Sequence, residues 1–177
     1  MNHRIAARLR SLEQDRCLPM YEVVLKAIKA ITGVALHLTP ADLVDQADWS
    51  TVIAATLQHY AVIPSDHLLV LTAEGEDEHP PSFVELVAPM AASDITALIT
   101  CSAGRLTRCE LPAVPRMAST LHQGPPGEVM PAYQALGTWM EQNGYTIVGP
   151  RRKVFLQRGS PTTDTLIEIQ FPLAKVA

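Results

Sequence analysis

Cysteine, aromatic side chains and basic charge are all scarce in this chain, and each shortage closes off a class of function. Three cysteines, Cys17, Cys101 and Cys109, give an odd count with no CxxC spacing. That argues against a disulfide framework and for reduced thiols. Lys plus Arg number 14 against 18 Asp plus Glu, a formal charge of −4. A chain of that sign lacks a basic face, and direct nucleic-acid binding is not expected. No apolar run approaches the roughly 18 residues of a membrane span, so no membrane partner is expected. The opening stretch MNHRIAARLR has no apolar signal core, and a cytoplasmic address is expected. The six histidines fall in no HxH or HExxH spacing, and no metal site is expected. GxGxxG, Walker and GxSxG patterns are missing as well, and no cofactor is expected.

What is present is apolar content, 47% of 177 residues, enough for one well-buried domain. The chain also repeats itself. FVELVAP (83–89) and LIEIQFP (166–172) end alike, and their closing prolines are separated by 172 − 89 = 83 residues. The same offset joins Glu85 to Glu168, Ile53 and Leu57 to Leu136 and Met140, and Ala30, Ala35 and Leu38 to Ala113, Ala118 and Leu121. Two repeats follow, about 19–100 and 105–177.

Each repeat carries the same pattern. YEVVLKAI and GVALHL read as strands in the first copy, LTRCEL and RMASTL in the second. Pro40 and the Gly124-Pro125-Pro126-Gly127 run break them. A helix follows. In the second copy it spans about Pro131 to Asn143, with Ala132, Leu136, Trp139 and Met140 as its apolar stripe and Asn143-Gly144 as its stop. In the first it spans Trp49 to about Tyr60, with Asp48 as N-cap. HLLVL with FVELV, and KVFLQ with TLIEIQF, close the two copies as strands. The expected fold class is α+β: two βαββ repeats about a pseudo-two-fold axis. Two small antiparallel sheets would carry helices on their outer faces and leave a ligand groove between them. Residues 1–18 stand apart, with Ile5, Leu9 and Leu12 as a short heptad-like seam. That seam reads either as a helix packed on the domain or as the stub of a dimerising helix, through which a homodimer would form.

AYQALGTWMEQNGYTIVGPRRKVFL, followed by TLIEIQFPL, resembles the GyrI-like effector-binding domain, the C-terminal half of many MerR-type multidrug-responsive regulators. YEVVLKAIKAITGVALHL resembles the start of that domain, so the resemblance covers roughly residues 19–174. IAARLRSLEQ resembles the end of the linker helix that precedes it. Two departures stand out. The winged helix-turn-helix of those regulators has no counterpart in this sequence, and Pro126 stands where family members often carry an aromatic after Gly-Pro.

The resemblance implies that Glu168 sits at the floor of the groove and faces the positive charge of lipophilic cations. Period-two alternation agrees, because Ile167, Ile169 and Phe171 should face the core and Glu168 the other side. The plainer alternative is an acid at the rim, solvated or paired with Arg152. Glu85 holds the matching place in the first copy, as a groove partner or an exposed strand acid. Tyr133, near the helix start, Tyr145, after its stop, and Phe155, on a strand beside that of Glu168, are ligand candidates by stacking or cation–π contact. Met117 is a soft wall residue if it faces the groove. Trp139 reads first as core and second as ligand contact. Arg151, Arg152 and Lys153 form the one compact basic run, read as a solvated strand start, with a phosphate or acidic-partner site as the alternative.

The function expected is binding of small hydrophobic, often cationic aromatic molecules, for drug or metabolite sensing or sequestration linked to transcriptional regulation. The alternative is a GyrI-like hydrolase of electrophilic aromatic compounds, in which a groove glutamate activates water and Tyr133 orients it. Whether the chain is an enzyme stays open, and no catalytic residue is assigned. A protein inhibitor, in the sense of the family name, is a third reading.

Overall fold

The computed structural model describes residues 21–38, 58–59, 67–73, 83–91, 95, 106–157 and 165–176. The strands are β1 Val24–Ile28, β2 Ile31–Leu38, β3 Leu68–Ala73, β4 Phe83–Pro89, β5 Leu106–Leu111, β6 Val114–Gly124, β7 Tyr145–Ile147, β8 Arg151–Gln157 and β9 Thr165–Lys175. One described helix of full length, α1, spans Met130–Asn143. Of the first-copy helix expected at 49–60, Gln58 and His59 are described and are helical; the rest, like residues 1–18, lies outside the described residues.

The helix begins and ends where its residues require. Pro131 occupies its first turn, where a missing N–H costs no hydrogen bond. Gly144 ends it in the left-handed region at φ 65° and returns its N–H to Met140 and Glu141. The turn before it begins at Gly124, with φ 147°. His122 supports that turn from inside: its Nε2 donates to the Pro125 carbonyl at 3.1 Å, and the Tyr21 hydroxyl meets Nδ1 at 2.9 Å.

All strand pairs are antiparallel, and the path runs β1-β6-β9-β8-β3-β4-β2-β5, with β7 added on β9. The two halves are therefore joined in one sheet, not separated into two, because β3 pairs with β8. β1 leads into β2, and β5 into β6. These two long arms pair with each other from Val24↔Ser119 to Leu36↔Leu106.

Strand registers refine the repeat offset. Leu69 pairs with Val87 and Arg152 with Gln170, each 83 residues on. Val70 and Lys153, also 83 apart, pair with each other. On the outer strands Ala35 opposes Val87 and Ser119 opposes Gln170, so the step from β2 to β6 is 119 − 35 = 84. The matched letters Ala35 and Ala118 are one residue out of this register and lie in different core clusters. A one-residue slip moves a side chain to the other face, so letter identity misled there.

Two faces result. The helix face holds the large core: Ile167, Ile169, Phe171 and Phe155 of the second half, Val70, Val84, Leu86 and Ala88 of the first, and Ala132, Leu136 and Met140 of α1. The second face, on the other side of the sheet, holds a smaller apolar cluster of Ala35, Leu69, Leu71, Val87, Leu111 and Val154. Gly33 allows β2 to lie tightly there, since a Cβ would sit 2.3 Å from the Ala88 carbonyl oxygen.

Candidate functional site

The second face carries charged side chains, Glu168 and Arg152, among its apolar residues, whereas the polar residues buried on the core face are Thr120, His122 and Thr165. On β9, Glu168 follows the phase opposite to Ile167 and Ile169, and its neighbours across the ladders are Leu121 and Val154. Its side chain is 12% exposed. One carboxylate oxygen, Oε1, accepts from Nζ of Lys26 on β1, and Oε2 accepts from Nε2 of Gln170 at 3.0 Å. Lys26 itself is 36% exposed, so one end of this ion pair reaches solvent while the other is mostly covered. Buried carboxylates are costly unless paired, and Lys26 supplies the pairing.

Glu85 stands on the same face on β4, opposite Leu71 and His37. Its Oε1 meets His37 Nδ1 at 3.1 Å. Met117, fully buried on β6 opposite Pro172 and Lys26, shares the phase of this face.

Arg152 completes the set. It pairs with Leu71 on one side and Gln170 on the other. The middle of the basic run is therefore 5% exposed, and the solvated-strand reading fails for it. Its flanking residues do follow the other phase: Arg151 lies 5.1 Å over the Phe171 ring and Lys153 5.6 Å over the Tyr133 ring. Nε and Nη1 of Arg152 are buried with no hydrogen-bond partner among the described residues. Burial holds its guanidinium below the usual arginine value, and the Cys109 sulfur opposes that shift. Cys109, half-buried on β5, is pushed up by burial first and then by Glu85, with Arg152 acting the other way and Glu110 adding a little.

The seven candidate ligand residues are split by the sheet. Glu168, Glu85 and Met117 share the second face. Tyr133, Trp139, Tyr145 and Phe155 lie on the helix face, packed in or against its core. Tyr133 packs 5.5 Å from Phe171, and Trp139 stacks on Tyr145 at 5.5 Å with 8° between planes. Lys175 caps that stack, 4.9 Å over Tyr145. Tyr133 therefore cannot work on a molecule held at Glu168 without crossing the sheet. Sequence reasoning missed Lys26 and Gln170 as partners of Glu168, and missed the burial of Arg152. The alternation Arg152, Val154, Leu156 was the available signal for the last. Among the described residues no group of three His, Cys, Asp or Glu is placed to hold a metal ion, and no helix is long and apolar enough to cross a membrane.

No family model matches the chain, and no curated protein matches it in sequence. Solved structures do. EcmrR, in its complex with DNA, superposes with a TM-score of 0.69 at 20% identity over 98% of this chain. The chain spans 64% of that EcmrR chain. The isolated EcmrR C-terminal domain gives 0.66 at 18% identity, with 89% of this chain and 99% of that domain covered. The chain has the GyrI-like effector-binding fold. A hydrolase from Listeria innocua shares this effector-binding fold with a TM-score of 0.62 at 10% identity, covering 94% of this chain and 98% of that one. SAV2435, solved bound to tetraphenylphosphonium, shares it at 0.56 and 14% identity, covering 86% of this chain and 94% of that one. At such identities the likeness is one of fold, and function must be argued from the site.

Proposed function

We propose that the second face is a small-molecule site for hydrophobic, cationic aromatic compounds, with Glu168 as their counter-ion. The observation that carries this reading is the Glu168 side chain itself: a carboxylate 12% exposed, beside apolar residues, whose one positive partner among the described residues is a lysine reaching solvent. A lipophilic cation entering there replaces Lys26. The lysine regains water, and the carboxylate keeps a partner in a setting where attraction exceeds that in bulk water. Apolar walls from Val154, Leu69 and Val87 supply the rest, as small-molecule sites usually require. The tetraphenylphosphonium complex of SAV2435, on the same fold, supports the ligand class.

The finer architecture belongs to the same reading. Two repeats about a pseudo-two-fold axis are supported by the strand order, which reads the same from either end when β1, β2, β3 and β4 are exchanged for β5, β6, β8 and β9. The axis would pass beside the Val70–Lys153 pair. The groove lies on the face away from α1, with Glu168 and Glu85 related across it and Met117 as a wall. In this reading the four helix-face aromatics hold the fold and do not touch the ligand. Residues 1–18 would form the dimerising helix and 19–177 the sensing domain of a cytoplasmic, transcription-linked drug or metabolite sensor.

A second reading, a hydrolase of electrophilic aromatics, has one observation of its own. Glu85 holds the ring of His37, whose side chain is 66% exposed, in the arrangement a general base uses. The Listeria innocua hydrolase on this fold supports it. One experiment separates the two. Tetraphenylphosphonium and a panel of electrophilic aromatic esters are titrated into the wild type and Glu168→Gln, with product mass followed. Saturable binding of intact ligand, weakened in Glu168→Gln, supports the sensor. Hydrated product that disappears in Glu85→Gln and His37→Ala supports the hydrolase and overturns the sensor reading.

A further inference from the structure

Glu168 has a cation already in place; Arg152 has no carboxylate paired with it among the described residues. Both stand on the same face, and Gln170 lies between them, opposite Arg152 across the ladder and donating to Glu168. Arg152 is 95% removed from solvent by its 5% exposure, and its Nε and Nη1 protons meet no acceptor among the described residues. Besides Gln170 and the Cys109 sulfur, its neighbours on this face are apolar: Leu71 directly opposite, Val154 two residues along its own strand, Leu69 opposite Val154. Glu85, one strand beyond Leu71, is engaged with His37. An arginine cannot shed its proton to escape burial, so a buried guanidinium with orphaned donors marks an absent acceptor.

We infer that Arg152 is the receptor for the acid group of a hydrophobic carboxylate, so that this face takes apolar acids as well as, or in place of, lipophilic cations. A carboxylate offers planar oxygens to the guanidinium donors, and charge assistance makes such bonds strong in an apolar setting. The apolar body of the same molecule lies on Leu69, Leu71 and Val154. Carboxylic acids with a flat or extended apolar body, such as aromatic acids, meet both demands. The inference rests on the reading that the second face is the ligand site, and it departs from that reading in the sign of the charge recognised.

The test uses three probes on the full chain by calorimetry: naphthalene-2-carboxylate, its neutral isostere naphthalene-2-carboxamide, and tetraphenylphosphonium. The acid should bind wild type at least about tenfold more tightly than the amide, since the amide leaves the guanidinium without its charged acceptor. Arg152→Met, which keeps volume and removes charge, should erase that preference. Arg152→Lys should retain part of it. Equal binding of acid and amide to wild type overturns the inference without reference to any variant. A preference that survives in a folded Arg152→Met overturns it too. Tetraphenylphosphonium reports separately: if it alone binds, the anion site falls and the cation reading stands. If the acid binds through Arg152 and tetraphenylphosphonium does not, the cation reading falls and the anion site stands. If nothing binds, both fall.

Discussion

The two faces of this sheet use the same strands to opposite ends. On the helix face, residues of β8 and β9 such as Phe155, Ile167, Ile169 and Phe171 meet Leu136 and Met140 of α1 in a core whose charges stay at its margin. Arg151 and Lys153 lie over aromatic rings there instead of being buried alone. On the second face, one residue out of phase, the same two strands carry Arg152, Glu168 and Gln170 among apolar neighbours. The first arrangement is what stability selects. The second burdens the fold with charged groups held mostly out of water, and proteins carry such burdens mainly where they bind or react. The proposed site rests on this difference between the faces more than on any single residue.

That contrast can be broken or sharpened by substitution. Leu136→Ala, fully buried on the helix face, should destabilise by about 2–5 kcal/mol in urea unfolding, because it opens a cavity in close-packed core. A loss under about 1 kcal/mol would show that face to be loosely packed. Glu168→Gln should leave folding nearly intact, as Lys26 is partly exposed and can turn to water. It should nevertheless weaken cationic ligands by at least about tenfold, or ~1.4 kcal/mol. Arg152→Met should act in the reverse sense to a core substitution. Removing an unpaired buried charge should raise Tm by roughly 2–4 °C, the shift that about 1 kcal/mol produces in a chain of this size. A fall in Tm would mean that the guanidinium contributes to stability as it stands. Lys26→Met should tighten cationic ligands several-fold by removing the internal competitor, with a dependence on ionic strength smaller than wild type's.

The smallest effect is on pH. Cys109 is held above its ordinary value by burial first and by Glu85 next, and Tyr21 by burial and then Glu128. Both groups keep their protons more tightly folded than unfolded. Their contribution is therefore complete below the unfolded values and lost as pH rises through the folded ones. Stability should decline on the alkaline side, for the thiol from its ordinary value upward, and Cys109→Ala should flatten the first part of that decline in Tm against pH.

Much of the fold was legible because it is local. The stop at Asn143-Gly144, the break at Gly124-Pro125 and the alternation in LIEIQF each follow from one residue's backbone preference or a period of two. Pairing was not legible. That β3 joins β8, making one sheet of two halves, depends on contacts between segments 83 residues apart. The site was half visible for the same reason. Alternation put Glu168 away from the core, but it could not name Lys26, which arrives from β1. Phe155 looked like a ligand residue because it neighbours the Glu168 strand, yet its partner there is Ile167, not Glu168. Adjacent strands share a face only in register, and register is a tertiary fact.

The most direct test of the account is calorimetric titration of tetraphenylphosphonium into wild type, Glu168→Gln and Lys26→Met under one buffer. The account predicts saturable binding to wild type, at least about tenfold weaker binding to Glu168→Gln and tighter binding to Lys26→Met. Superimposable isotherms for wild type and a folded Glu168→Gln would contradict it, and so would no binding to any of the three.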